Sequence, residues 1–410
     1  MSSKTVAIIG QGYVGLPLAM AATSSGWDVV GIDVNNKTVA NLNLGKSHIE
    51  DISDQTLQKA IAANLYKASQ DFTDVENVDV VVICVPTPLN DKREPDLAFL
   101  NGAVTSVAPF LRKDVLLISE STSYPGTVRD VVKGIISTLR EDKGACILLA
   151  SAPERVDPGN EKYNHKNTPR LVSGLTPEAT KKAAEFYRSF TENVIEVSSP
   201  EVAETAKLLE NTFRQVNIAL VNEVAIISRA LGIDVREVIE AANSKPYGFM
   251  KFTPGAGVGG HCIPVDPSYF SWRARQVGAQ ARFIDLANEV NDQMPKYVSD
   301  RLLKLIGKPV KGLHLLICGV AYKPGVGDVR ETPADGVAQY LTDLGAKVSW
   351  HDPLVGNWRG EKSALLSENF DGAIVVTPQP GMDLKPLIDS KTPIFDCTGA
   401  YKGLPLVEQL

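Results

Sequence analysis

The segment Gly10-Gln11-Gly12-Tyr13-Val14-Gly15 constrains this chain more than any other. It follows the apolar run Thr5–Ile9 and opens a helical pattern over Leu16–Ser24, and Asp33 closes the next apolar run, Asp28–Ile32. In that order the glycines have separate duties. The first makes a tight turn, the second lets the backbone approach a pyrophosphate, and the third lets helix and strand pack closely. The helix N-terminus then faces the phosphates, and an acid in the position of Asp33 can hydrogen-bond the ribose hydroxyls. Strand, turn, helix and acid in register predict dinucleotide binding by Gly10, Gly12, Tyr13, Val14, Gly15 and Asp33. A carboxylate there repels a 2′-phosphate, so NAD is expected rather than NADP.

Further short apolar runs, Asp79–Val85, Val115–Glu120 and Ile147–Ala150, alternate with helical patterns such as Asp130–Leu139. That alternation predicts a doubly wound α/β sheet. From Ser198 the character changes to one long helical pattern, with Ser199 able to cap it, Pro200 suited to its first turn and Gly232 able to end it. Its apolar residues, Leu208, Leu209, Phe213, Val216, Ile218, Leu220, Val224 and Ile227, spread beyond one stripe, as in a helix buried between domains or against a second subunit, and a long core helix of a monomer fits them equally well. After KPVKG (308–312) a second alternation begins: Leu313–Cys318, Lys347–His351, Ala373–Thr377 and Ile394–Cys397, with a helix over Pro333–Leu344. The expectation is an α/β fold of two Rossmann-like doubly wound domains joined by a central long-helix region.

Composition narrows the function classes. A formal net charge of −6 argues against nucleic acid as a partner, because phosphate binding wants a basic face. No apolar run reaches the roughly 18–20 residues of a membrane span. The five cysteines are odd in number and lack CxxC spacing, which fits a reducing cytoplasm and speaks against a disulfide framework or a zinc site. The start, MSSKTVAIIG, enters a strand with no signal-peptide pattern. A soluble, cytoplasmic protein without a metal is expected.

Within that frame, GVGGHCIPVDP (257–267) carries the sharpest chemistry. A thiol beside glycines has backbone N–H groups close by and little steric shield, which suits a nucleophile, and Asp266 is near enough in sequence to serve as a base. A glycine-rich loop with an incidental Cys262 fits the residues equally well. Lys207 and Asn211, four apart on the long helix, share a face. Pro86 and Thr87 in VPTP, and Ser121 and Thr122 in STSYPGT, sit at strand ends where such sheets bind ligands. Glu154 in Pro153-Glu154-Arg155-Val156 is a candidate base or a loop carboxylate paired with Arg155. Tyr322, Lys323 and Arg330 lie in a glycine-rich loop after the first strand of the last domain, suited to gripping a diphosphate or to a structural turn. An NAD site joined to a nucleophilic cysteine makes sense when an alcohol is carried through an aldehyde to an acid.

Seven segments, GQGYVGLPLA, VPTP, STSYPGT, PERVDPG, AETAKLLENTFRQVNIALVNE, GVGGHCIPVDP and AYKPGVGDVRETPA, occur in order over most of the chain. Together they resemble the nucleotide-sugar dehydrogenases of the UDP-glucose/GDP-mannose type. The resemblance implies an NAD domain (1–198), a helical dimerisation domain with the cysteine loop (199–296) and a UDP-sugar-binding domain (297–410). It also implies a homodimer that oxidises a sugar C6 alcohol to a carboxylate with two NAD per turnover. Carried over by position, Cys262 matches the thiohemiacetal nucleophile and Lys207 the oxyanion-stabilising lysine. Asp266 matches the carboxylate that orders water, with Asn211 and Thr122 alongside, and Glu154 the glutamate that activates water for thioester hydrolysis. Glu154, Arg155, Val156, Lys207, Asn211, Gly259, Cys262, Tyr322 and Lys323 fall toward the UDP-sugar. Pro86, Thr87, Ser121, Thr122 and Arg330 fall toward the cofactor.

Val265 replaces the lysine usual before the loop aspartate in UDP-glucose enzymes, and Pro158 replaces a second acid. Both departures point to the N-acetylhexosamine branch, and SYFSWRARQVGAQARFIDLANEVND leans toward UDP-N-acetylglucosamine, with UDP-N-acetylmannosamine and UDP-glucose as alternatives. Two rival readings are a one-step dehydrogenase of the 3-hydroxyacid type and a non-catalytic nucleotide-sugar-binding protein.

Overall fold

In the computed structural model, residues 4–49, 51–142, 144, 146–156, 162–260 and 262–410 are described, and the chain divides into two compact units, Met1–Glu210 and Asn211–Leu410. The end of the PERVDPG motif, including Pro158, and His261 of the cysteine loop lie outside the described residues.

The first unit runs β1 (Thr5–Ile9), α1 (Gly15–Ser24), β2 (Asp28–Ile32), α2 (Asn36–Asn43), α3 (Asp54–Ala62), β3 (Tyr66–Ser69), β4 (Val80–Ile83) and α4 (Ala98–Val107). It continues through β5 (Leu116–Ser119), α5 (Lys133–Leu139), β6 (Leu148–Ser151), β7 (Arg170–Gly174), α6 (Pro177–Arg188) and β8 (Val194–Glu196). Branched residues such as Val6, Ile8, Val80, Val82 and Ile118 are buried throughout, as strands of a parallel sheet covered on both faces must be. The sheet order is β3-β2-β1-β4-β5-β6-β7-β8. Its first six strands have the dinucleotide-binding order, reversing direction between β1 and β4, where ligands bind at the carboxyl edge.

Two local features differ from the sequence expectation. The pattern read as one helix over Asp130–Leu139 begins as a π-helical turn, Thr127–Val132, that passes into α5. Its opening N–H groups are held from outside: those of Gly126 and Val128 donate to the Glu204 carboxylate at 2.7 and 3.2 Å. Strand β7 runs antiparallel to β6, with Ala150 opposite Gly174 and Ser151 opposite Ser173, and continuing that register sets Arg170 across from Glu154.

Helix α7 (Pro200–Leu231) starts within the first unit's residues and ends in the second's. Ser199 contributes its carbonyl to the first turn, accepting from Val202 and Ala203. Gly232, at φ 72°, ends the helix, and Ile233 closes it by donating back to Ser228 at 3.0 Å.

The second unit continues with α8 (Val235–Asn243), α9 (Asp266–Gln276), α10 (Arg282–Ile306), β9 (His314–Cys318) and α11 (Pro333–Asp343). It ends with β10 (Lys347–His351), β11 (Gly372–Val375), α12 (Lys385–Asp389), β12 (Ile394–Asp396) and β13 (Val407–Gln409). Its five strands are ordered β10-β9-β11-β12-β13 with every pairing parallel, the second common doubly wound order, whose switch point lies between β9 and β11. Helix α10 carries the helical region to Ile306, where Gly307 at φ 68° stops it. The fold is thus α/β with two Rossmann-like sheets and a long central helix. Among the described residues, no helix is long and apolar enough to cross a membrane.

Candidate active site

At the cofactor edge the three glycines separate by what surrounds them. A Cβ on Gly10, whose φ is 91°, would lie 2.5 Å from the Cys84 carbonyl oxygen. One on Gly15 would lie 1.8 Å from the Gly10 carbonyl oxygen. Around a Cβ on Gly12 nothing lies within 4 Å. Packing therefore demands the first and third glycines, while the second leaves bare backbone that fits the close approach of a pyrophosphate. Asp33 is held half-buried, one carboxylate oxygen accepting from the Gln11 N–H and the other from the Asn35 N–H, both at 2.9 Å. Buried Gln11 donates to the Ile8 carbonyl at 2.9 Å and accepts from the Tyr66 hydroxyl at 2.8 Å. Burial, with Asp33 nearby, pushes the Tyr66 phenol up, so it stays a donor. The Ser121 hydroxyl donates to the Val85 carbonyl at 2.7 Å and accepts from the Val85 N–H at 2.9 Å. That bridge ties the ends of β4 and β5 and sets Pro86, Thr87 and Thr122 at the carboxyl edge.

Glu154 follows β6 and belongs to a buried ionic cluster. Its Oε2 takes a hydrogen bond from Arg170 Nη2 at 2.7 Å, and its Oε1 accepts from the N–H groups of Arg155 and Val156 at 2.5 and 2.6 Å. Arg170 Nη1 reaches Glu120 at 2.8 Å, and the Tyr187 hydroxyl donates to the other Glu120 oxygen at 2.6 Å. Burial raises Glu154, but the Arg170 guanidinium reverses this and holds its carboxyl well below the usual range. Burial wins at Glu120, pushing it up to about 8 against the pull of Arg170. Arg155 itself turns to Glu210 and the Pro169 carbonyl. A cavity of about 760 Å³ brings Tyr13 and Val14 of the glycine turn together with Glu154, Val156 and His165. Glu120, Arg170 and Tyr187 escape a reading of local sequence. Glu120 and Arg170 leave one signal, a charge at one end of each of the strand runs LLISE and RLVSG, and Tyr187 leaves none.

In the second unit, Cys262 opens the turn into α9, its carbonyl accepting from Val265 and Asp266 at 3.2 and 2.8 Å. It is partly exposed. Cys84, Cys318 and Cys397 are buried, and burial pushes their thiols up, to about 12 for Cys318, so they are poor nucleophiles. The Asp266 carboxylate, 3% exposed, accepts from Asn211 Nδ2 at 2.5 Å, so the structure brings these two expected partners together one turn beyond the thiol. The fold itself also requires two of the glycines before Cys262. A Cβ on Gly259 would lie 2.8 Å from Pro333 and 2.9 Å from Tyr322, and Gly260, at φ 84°, abuts the Tyr322 ring. The protein itself fills the room these glycines provide.

Tyr322 and Lys323 follow β9 at the carboxyl edge of the second sheet, beside its switch point, with the Lys323 ammonium 5.7 Å from the Tyr322 ring centre. Exposed Arg330 is forked onto Asp328 at 2.5 and 3.0 Å. Lys207 lies half-buried on α7, one turn before Asn211. Thr122, Glu154 and Lys207 thus belong to the first unit, and Asn211, Gly259, Cys262, Asp266, Tyr322, Lys323 and Arg330 to the second.

Three family models match in order: the UDP-glucose/GDP-mannose dehydrogenase NAD-binding domain over residues 4–191, the central domain over 201–293 and the UDP-binding domain over 316–403. The UDP-N-acetyl-D-mannosamine dehydrogenase of Pyrococcus horikoshii is 35% identical over 92% of this chain and 89% of its own length. The enzyme of that name from Methanocaldococcus jannaschii is 38% identical over 91% of this chain and 84% of its own. The solved structure of UDP-D-ManNAc dehydrogenase from Pyrococcus horikoshii superposes with a TM-score of 0.90 at 32% identity, covering 99% of this chain and 98% of that one.

Proposed function

The chain belongs to the UDP-glucose/GDP-mannose dehydrogenase family and is an NAD-dependent nucleotide-sugar dehydrogenase, and on that premise we propose that it oxidises the C6 hydroxyl of UDP-N-acetylmannosamine to a carboxylate through Cys262. The observation that carries the reading is a partly exposed thiol one turn ahead of a buried Asp266–Asn211 pair. The choice of the mannosamine epimer, over the glucosamine expected from sequence, rests on relatives of that name matching about nine-tenths of the chain.

NAD, when bound, supplies the hydride acceptor for both oxidations. The chain's own residues do the rest. Lys207 places its ammonium against the alkoxide that forms at C6 and against the oxyanion left when the Cys262 sulfur adds to the aldehyde. Loss of a second hydride from that adduct leaves a thioester on Cys262. Asp266 and Asn211 order water, with Thr122 alongside, and Glu154 takes the proton as water adds to the thioester carbonyl. The carbon–sulfur bond then breaks, returning the thiol and releasing the acid. The backbone of Arg155 and Gly259 lines the sugar together with Val156, while Tyr322 and Lys323 grip the UDP and Arg330 faces the cofactor.

The test is NADH formed per mole of limiting sugar nucleotide. Two NADH are expected from UDP-N-acetylmannosamine, with slower turnover of UDP-N-acetylglucosamine and UDP-glucose. One NADH per sugar removes the covalent route, and a preference for UDP-N-acetylglucosamine restores the expectation from sequence. Cys262→Ser should lose acid formation by orders of magnitude, because a hydroxyl is a far poorer nucleophile than a thiolate. Near-parental acid production by that variant would refute the thioester.

The protein is also proposed to be a homodimer through α7. Phe213, Leu220 and Ile227 recur every seven residues and are about half exposed, with Leu231 one turn beyond at 68%, a stripe suited to a second copy of the same helix. Leu220→Glu with Ile227→Glu should yield a monomer by sedimentation, and an unchanged oligomer would place the interface elsewhere.

A further inference from the structure

The cluster around Arg170 bears on how water loses its proton in the last step, a role that rests on the assignment of Glu154 to that step. Alone, Glu154 is a weak acceptor, with one oxygen on a guanidinium and the other on two backbone N–H groups. Glu120 is 1% exposed and takes the other nitrogen of that guanidinium, Nη1, at 2.8 Å, so the two acids share one cation. Two carboxylates against one buried guanidinium leave a net negative charge that a single proton cancels.

We propose that Glu120 and Glu154 act as one proton acceptor, with Glu120 the positioning residue that holds their shared proton beside Arg170. The other groups facing the pair leave the titration to it. Arg170, from β7, is held charged by the two acids, and Tyr187, from α6, and Cys84, after β4, are pushed up by burial and stay protonated. His165, in the loop before β7, is lowered by burial and is neutral, with its Nδ1 3.2 Å from Arg170 Nη2; Asp51 acts on His165 in turn. When the shared proton leaves to solvent, both acids are ionised, and the repulsion between them makes the pair a strong base. In the hydrolytic step the pair then takes one proton from water, the hydroxide oxygen bonds to the thioester carbon, and the sulfur leaves and regains its proton. Hydrolysis therefore accelerates as the pair ionises.

The experiment has two arms on the full-length protein. Infrared titration without substrate should show protonated carboxyl absorption at pH 7 that fades as the pH passes about 8 and is smaller by one carboxyl in Glu120→Gln, the remainder belonging to Glu204 and missing in Glu204→Gln. Equal absorption in the parent protein and Glu120→Gln overturns the proposal. Rapid-mixing measurement of thioester hydrolysis should show the parent rate rising roughly tenfold per pH unit below that point, and Glu120→Gln slow and flat. Glu154→Gln is run beside it. If Glu154→Gln abolishes hydrolysis while Glu120→Gln keeps the parent profile, Glu154 stands and the pairing falls. If Glu154→Gln leaves hydrolysis intact, the assignment of Glu154 itself fails.

Discussion

Within a single turn of chain, atoms of the protein itself require Gly10 and Gly15 to be glycine, and nothing in the protein requires it of Gly12. Gly15→Ala drives a methyl into the Gly10 carbonyl, a backbone atom that cannot step aside. It should cost about 3 kcal/mol of stability in urea unfolding. Gly12→Ala meets open space and should leave stability within about 0.5 kcal/mol. It should nonetheless weaken NAD at least tenfold, about 1.4 kcal/mol, by calorimetric titration. Unchanged NAD affinity in Gly12→Ala would mean that no pyrophosphate comes against that backbone. The same reasoning reverses at the cysteine loop, where Tyr322 and Pro333 fill the space beside Gly259 and Gly260. A glycine announces that something approaches closely, and only coordinates say whether it is ligand or protein.

At the scale of elements, β1 and β2 lie at the residues their apolar runs marked, because Gly and Asp close those runs sharply. Strands β3 and β8 are not legible in the sequence because the alternation in YKAS lasts only four residues and VIE is three residues long and largely exposed. The direction of β7 leaves no periodic trace at all, and the partners of Glu120 lie 50 and 67 residues away along the chain. The π-helical turn 127–132 likewise depends on a distant residue, Glu204 of α7, which burial pushes up to about 8. An unfolded glutamate titrates near 4.5, so between the two values the folded chain holds a proton that the unfolded chain has lost. Stability from this group is greatest below the lower value and declines as pH rises to about 8. Glu204→Gln should flatten that decline between about pH 5 and pH 8 in urea unfolding, without abolishing it, since Glu120 contributes with the same sign. Parallel slopes in parent and variant would show that Glu204 stays ionised in the fold.

Across the whole molecule, the same glycine turn is built twice and finished differently. Gly319 after β9, like Gly10 after β1, has no room for a side chain: a Cβ there would lie 1.6 Å from the Thr377 carbonyl oxygen. Asp352 ends β10 as Asp33 ends β2, but it is 1% exposed and is spent on the N–H groups of Val320 and Ala321 at 2.9 and 3.2 Å and on Gln379 at 3.2 Å. An acid sealed in this way cannot reach a ribose. Equilibrium dialysis should therefore find one NAD per chain, and two would mean that the second sheet opens its turn. The reversed strand β7 has a consequence for inheritance. Because it places Arg170 beside Glu120 and Glu154, every member of the acid cluster lies between residues 120 and 187, within the unit that carries the NAD-binding domain. A lineage can exchange the UDP-binding domain for one that grips a different nucleotide and keep this acid cluster whole.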